Sequence, residues 1–192
     1  MDSFEAVVAA ILHRRGYWTQ TSVKVPLTKE EKQAIQRPSS PRWELDVVAY
    51  RGATNELLIV ECKSYLDSSG VDAATFEGDN PKNQERYKMF FDDNLRNVVL
   101  KRLVKHLVST GFCSPRPRVR LGLAAGKVKG KAPAAEKRLQ RVFARRRWIF
   151  LGPTEIRNEL RALRHSGYEN TVAAVVAKLL LRGSLDVDTN DE

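Results

Sequence analysis

The sequence predicts an α/β fold in which a mixed central sheet is flanked by helices. Stretches with apolar residues at helical spacing alternate along the chain with short β-rich runs. Two of those runs lie close enough together to form a hairpin, and the element order is helix, three strands, helix, strand, then helix, strand and two helices. With 192 residues, 42% of them apolar, the chain suffices for one well-buried core and is short for two. We expect a single domain over residues 1–183, with its core at about 1–125 and a basic extension over 126–183.

Each element has a local reason. Phe4, Val7, Val8, Ile11 and Leu12 recur at helical spacing and Gly16 follows as a stop, so residues 2–15 form the first helix. Residues 17–26 read as a strand. Thr28 and Glu31 have capping-box spacing for a short helical turn, and residues 38–41 (Pro-Ser-Ser-Pro) make a loop. Strands over 42–50 and 56–65 are joined by a connection containing Gly52 and Asn55. A polar segment over 66–79 leads to Asn80-Pro81, which opens a long helix with the seam Tyr87, Phe91, Leu95, Val99, Leu103 and Leu107 and its end at Gly111. Strands are expected over 119–125 and 147–151, on either side of a basic helix over about 133–146. Helices over 154–165 and 170–182 follow, and Gly183 closes the second. Residues 184–192, with Asp186, Asp188, Asp191 and Glu192, read as an acidic, disordered tail.

Composition narrows the setting. Cys62 and Cys113 do not suggest a disulfide framework, and His13, His106 and His165 are too scattered to form a zinc site with them. A reducing cytoplasm fits best. No apolar stretch is long enough to span a bilayer. The net charge of +10 favours polyanionic partners, nucleic acid or an anionic membrane surface. Residues 127–147 carry nine Lys and Arg, among them Lys127, Lys129, Lys131, Lys137, Arg138, Arg141 and Arg145, against the single acid Glu136. Such a run reads either as a solvated helix face or as a nucleic-acid contact, and a catalytic site beside it would favour the second.

The hairpin carries that chemistry. By strict alternation Trp43, Leu45, Val47 and Ala49 share one face, and Glu44, Asp46, Val48 and Tyr50 the other. In the next strand Leu57, Ile59, Glu61 and Lys63 point the same way. Pairing Tyr50 with Leu57 puts Asp46 level with Glu61 and on the same sheet face. A slip of one residue in either strand would separate the two carboxylates. Hard oxygen ligands from Asp46 and Glu61 suit Mg²⁺ and leave sites for water and a phosphate oxygen. Lys63 would orient the attacking water and stabilise the developing charge. Its acidic neighbours hold its pKa up, which favours positioning over proton abstraction. Glu-x-Lys alone has little specificity, since Glu30-x-Lys32 repeats it in a solvated turn. The Glu61 copy differs because it follows Leu57-Leu-Ile-Val on a strand whose hairpin partner carries an acid at matching height.

RWELDVVAY, a turn, and LLIVECKSY together resemble the PD-(D/E)xK nuclease superfamily, which includes restriction enzymes, Holliday-junction resolvases and RecB-type nucleases. The element order also resembles that superfamily's restriction-endonuclease-like αβββαβ core, over residues 1 to about 125. Leu45 stands where the name-giving proline would be. The resemblance implies that Asp46 and Glu61 are metal ligands, that Lys63 is the catalytic lysine, and that the Cys62 carbonyl is a further ligand. Glu5 enters as an acid on the first helix that supports the metal site; its other reading is a helix-start acid favoured by the macrodipole. Gln84 enters through Asn83-Gln84-Glu85-Arg86-Tyr87, which approximates the Gln-x-x-x-Tyr element of RecB-type nucleases with one residue fewer.

The expected activity is Mg²⁺-dependent hydrolysis of phosphodiesters, with Mn²⁺ as the alternative ion and DNA as the substrate. Residues 127–147, with Arg116, Arg118 and Arg120, would track phosphates. The competing reading is a catalytically silent nucleic-acid-binding or assembly module with the same fold. Trp18, Trp43 and Trp148 are read as core residues in preference to base-stacking platforms. Residues 154–182 read as helices packed on the core, with a dimer interface or a helix-turn-helix as alternatives. A homodimer would supply the second active site that a double-strand break needs.

Overall fold

The computed structural model describes residues 2–39, 42–78, 80–165, 167 and 171–181. Helix α1 (Ser3–Arg14) starts where the Asp2 carboxylate accepts hydrogen bonds from the backbone amides of Phe4 and Glu5. Strand β1 (Trp18–Val25) leads to α2 (Lys29–Ala34), capped by the expected box of Thr28 and Glu31. The hairpin forms as β2 (Trp43–Arg51) and β3 (Glu56–Lys63), turning through Gly52–Thr54 and a left-handed Asn55. The polar segment contains one more helix than its composition predicts, α3 (Ala73–Glu77), capped by Asp72.

The expected long helix is interrupted. It comprises α4 (Pro81–Gln84), a 3₁₀ turn over Glu85–Tyr87, α5 (Lys88–Phe91) and α6 (Asp93–Ser109). Asp92 makes the break: its backbone is extended and its carboxylate accepts from the Leu95 amide at 2.9 Å, so it starts a new helix where the apolar seam would continue an old one. Leu95, Val99, Leu103 and Leu107 keep the seam, all buried on α6. The chain continues with β4 (Arg118–Ala125), α7 (Ala134–Arg145), β5 (Ile149–Leu151), α8 (Pro153–Leu163) and α9 (Val172–Leu181). The expected acidic tail, Gly183 and Asn170 lie outside the described residues.

The five strands form one mixed sheet in the order β1-β2-β3-β4-β5, antiparallel from β1 to β3 and parallel from β3 to β5. Residues 126–163, read from sequence as an extension of the core, thus complete the same sheet. One face packs against α5, α6 and α7 around a cluster of aromatic rings, in which Phe76 lies 4.8–5.7 Å from the rings of Tyr87, Phe90, Phe91 and Phe143. Truncating a fully buried Phe to Ala costs about 3–5 kcal/mol. The other face packs against α1 and α8 through Val8, Ile11, Leu12 and Ile156. Helix α9 lies against α1 and α8 through Ala173, Ala174 and Ala177, while Val172 and Leu179 remain exposed. Among the described residues no helix is long and apolar enough to cross a membrane.

Strict alternation fails at one place. Val47 and Ala49 pack toward α1, and Val48 and Tyr50 toward α6, as expected. Leu45 and Trp43, expected beside Val47, pack on the α6 side instead. The ladder with β1 is interrupted at the same point, between Thr21↔Val47 and Val23↔Leu45. Ser22, facing Asp46 across this gap, has φ 51°, in the left-handed region. Both strands therefore carry one residue out of phase, and the residue on β2 is Asp46.

Candidate active site

The predicted hairpin register is observed, with Tyr50↔Leu57 and Val47↔Val60 paired. Main-chain pairing ends at Val47↔Val60, one step before Asp46 would meet Glu61. Asp46 itself closes the ladder: its Oδ2 accepts a 2.7 Å hydrogen bond from the Cys62 amide, where a main-chain carbonyl would otherwise sit. The out-of-phase kink thus brings a carboxylate into the open end of the sheet, level with Glu61.

Lys63 Nζ donates to Glu61 Oε1 at 2.5 Å, and both side chains are only about a fifth exposed, at 21% and 22%. Glu5 reaches the same end from α1; it is 9% exposed, and its Oε2 accepts from the Ser22 hydroxyl at 2.9 Å. Ser22, which no sequence pattern singled out, therefore both kinks β1 and holds Glu5. Burial raises the pKa of Asp46 above its ordinary value, although the Cys62 amide and Lys63 oppose the rise. Burial likewise raises Glu61, with Lys63 opposing and Asp46 and Glu5 adding to it. Glu5 is raised by burial and by Asp46, against the Ser22 hydrogen bond. For Lys63, burial works downward, yet the attraction of Glu61 and Asp46 outweighs it and the ammonium is held up. The Cys62 thiol is pushed far up by burial and the adjacent carboxylates, which leaves it an inert, small hydrophobe.

Two carboxylates, Asp46 and Glu61, therefore flank one ammonium in a poorly solvated place, and Glu5 adds a third negative charge close to both acids. That deficit of positive charge fits a divalent cation, and the hard oxygen donors fit Mg²⁺ or Mn²⁺. Among the described residues no group of three or more Asp, Glu, His or Cys is gathered tightly enough to form a metal cage. Mg²⁺ does not require one, since it is commonly held by one or two carboxylates with the remaining positions on water and phosphate.

Gln84 lies apart from this group in its described contact, donating from Nε2 to the Thr75 carbonyl at 3.3 Å. Its neighbour Tyr87 is buried beside Tyr65, and its phenol is raised by burial and then by Tyr65 and Glu61.

The basic run is divided by the topology. Gly126 donates its amide to the Lys63 carbonyl, so Lys127, Lys129 and Lys131 leave the sheet at the carboxylate end. Lys127 and Lys131 are exposed there, whereas Lys129 pairs with Asp72 at 2.8 Å. Helix α7 then runs back along the sheet, and its 12 residues span about 18 Å, so Arg145 sits at the far end from Lys127. Lys137 and Arg141 are exposed between them, and Arg138 forks onto the Glu77 carboxylate. Arg118 and Arg120 also belong to the far end, where both pair with the fully buried Glu56.

Two of the three tryptophans meet the core expectation. Trp148 packs among Phe90 and Phe143, and Trp43 is partly buried beneath Arg37. Trp18 does not: it is 71% exposed, because β1 begins at the sheet margin, where His13 meets its ring edge-on. No protein-family model matches the chain, and neither a curated protein nor a solved structure matches it.

Proposed function

We propose that the chain is a divalent-metal-dependent nuclease that hydrolyses DNA phosphodiesters, with a restriction-endonuclease-like core of the PD-(D/E)xK type. The observation that carries this reading is the under-compensated acid cluster at the open end of the hairpin: Asp46 and Glu61 level with each other, both desolvated, with Lys63 bonded to Glu61. The element order α1-β1-β2-β3-α6-β4, with its first three strands antiparallel and β4 parallel to β3, supports the same reading.

Asp46 and Glu61 would hold the metal, with Glu5 tuning the charge around them and the Cys62 carbonyl as a further oxygen donor. The ion would supply a lowered pKa for bound water and charge neutralisation at the phosphoryl group. Lys63 keeps its proton, so its part is to orient the attacking water and donate to the phosphate oxygens. Lys127 and Lys131 lie at the same end and would hold the flanking phosphates. A homodimer would place two such sites on one duplex for a double-strand break.

Incubation of the purified chain with supercoiled, linear and single-stranded DNA plus Mg²⁺ or Mn²⁺ tests the proposal. Cleavage is expected in the native chain and lost in Asp46→Ala and Lys63→Ala. Cleavage that survives in both variants overturns this site. DNA binding without cleavage under any metal condition assigns the chain to the silent binding-module reading. Mg²⁺ is also expected to raise the melting temperature of the native chain and not of Asp46→Ala, by mass action on the folded state.

A further inference from the structure

The end of the sheet opposite the carboxylates carries a second cluster. Tyr17 donates its hydroxyl to Glu56 Oε1 at 2.5 Å, Arg51 lies over the Tyr17 ring at 4.7 Å, and Arg118 and Arg120 both pair with Glu56. Arg120 also reaches the carbonyl of Arg147. Asn55 ties the Arg116 backbone to the same corner. The segments that meet here, residues 51–56, 112–120 and 145–149, contain seven arginines and one acid, Glu56. One carboxylate cannot neutralise them, so this end of the molecule keeps a strong positive field.

Two details set this cluster apart from a merely structural ion-pair network. Arg116 and Arg147 adopt φ 53° and 57°, a backbone region that Gly or Asn occupies at lower cost, and both are exposed. Trp18, 71% exposed, stands at the β1 edge of the same end, across the sheet from Arg147, and is paired with Tyr50, the residue preceding Arg51. The row Trp18, Tyr50, Leu57, Val119 crosses four strands, which puts the strand position of the exposed indole about 14 Å from that of Arg118 on β4 and about 19 Å from the β5 edge that Arg147 precedes.

An exposed indole bordering a line of guanidinium groups has the chemistry of a single-strand platform, in which arginines follow phosphates and a ring stacks on an unpaired base. A duplex offers no free base face to Trp18, whereas an unpaired strand offers both a base face and phosphates. We propose that this end of the sheet binds an unpaired nucleic-acid strand through Trp18, Arg116, Arg118 and Arg147, remote from the carboxylate end. This deepens the proposed function by naming a second contact for its substrate class, and it rests on nucleic-acid binding but not on cleavage.

The test measures binding of a labelled oligodeoxythymidylate of about 20 nucleotides and of a blunt duplex, in EDTA, across a salt series. Trp18→Ala is expected to weaken oligodeoxythymidylate binding about 10-fold and duplex binding less. Arg116→Asn combined with Arg147→Asn keeps residues suited to the left-handed backbone, so folding is preserved while two charges go. That variant is expected to lower the slope of log affinity against log salt by about 1.4. Native affinity and slope in both variants overturn the proposal, as does a native chain that binds no oligodeoxythymidylate. Phosphatidylserine vesicles form the remaining arm: loss of vesicle binding in these variants with oligonucleotide binding intact assigns the surface to membranes and overturns it as well. Because metal is absent, a chain that binds as expected but never cleaves upholds this surface and removes the nuclease reading.

Discussion

Strand β3 carries a desolvated carboxylate toward each end, fully buried at Glu56 and partly buried at Glu61, and the two ends treat it in opposite ways. Glu56 is fully buried, yet its pKa is held below the ordinary value: burial pushes up, and the Tyr17 hydroxyl together with Arg118 and Arg120 outweighs it. Glu61, five residues on, is raised with Asp46 and Glu5, because burial outweighs what Lys63 offers Glu61 and Asp46 and what the Ser22 hydroxyl offers Glu5. Two desolvated acids on one strand thus differ in whether the fold completes their charge compensation. A compensated acid stays charged as a structural part, whereas an under-compensated one takes up a proton more readily or accepts a further cation.

Activity breaks this comparison most sharply. Asp46→Asn keeps an acceptor for the Cys62 amide but removes a charge, and it is expected to lower the cleavage rate by at least about 100-fold. Glu56→Gln is expected to leave the rate per folded molecule unchanged. Equal losses from both variants, measured as initial rates on plasmid DNA, would erase the distinction between the two ends.

Stability gives the next largest effect. Glu56→Ala leaves a tyrosine hydroxyl and three arginines, Arg51, Arg118 and Arg120, around a vacated carboxylate site, and breaking a buried pair in this way costs about 3–5 kcal/mol. Urea unfolding followed by circular dichroism measures it, and a loss below about 1 kcal/mol would mean that solvent already compensates the arginines.

The smallest effect is the most diagnostic, because its sign reverses between the two ends. Glu5 has a raised folded pKa, so its contribution is fully present below its ordinary value of 4.5 and is lost as pH rises through the raised value. Glu5→Gln should therefore come closest to the native chain near pH 4 and gain on it as pH rises toward 7, a trend that urea unfolding at each pH reads. Glu56 has a lowered folded pKa, so its contribution is present above 4.5 and is lost as pH falls through the lowered value. Glu56→Gln should cost most at neutral pH and least in acid. Parallel pH profiles for the two variants would show that the ends do not differ electrostatically.

Much of the fold is legible in the chain itself, because local rules act over a few residues. The Thr28 box, the hairpin turn at Asn55 and the seam of α6 follow from capping, turn chemistry and periodicity. The hairpin register was readable because a short connection leaves few ways to pair two apolar strands, and it brought Asp46 level with Glu61. The misreadings arose where a local signal was outweighed. Asp92 offered a cap inside an apolar seam, and alternation could not anticipate a kink shared by Ser22 and Asp46, which only two neighbouring strands create together.

The sequence alone determined that an Asp, a Glu and a Lys would share one hairpin, since alternation and connection length act within some twenty residues. Tertiary structure decided what surrounds them. Glu5 and Ser22 reach the site from elements more than twenty residues away in the chain, and the parallel turn of β4, α7 and β5 splits one basic run between the two ends of the sheet. The physical reason is that net charge is a property of composition, whereas its compensation depends on which distant residues the packed layers bring within a hydrogen bond.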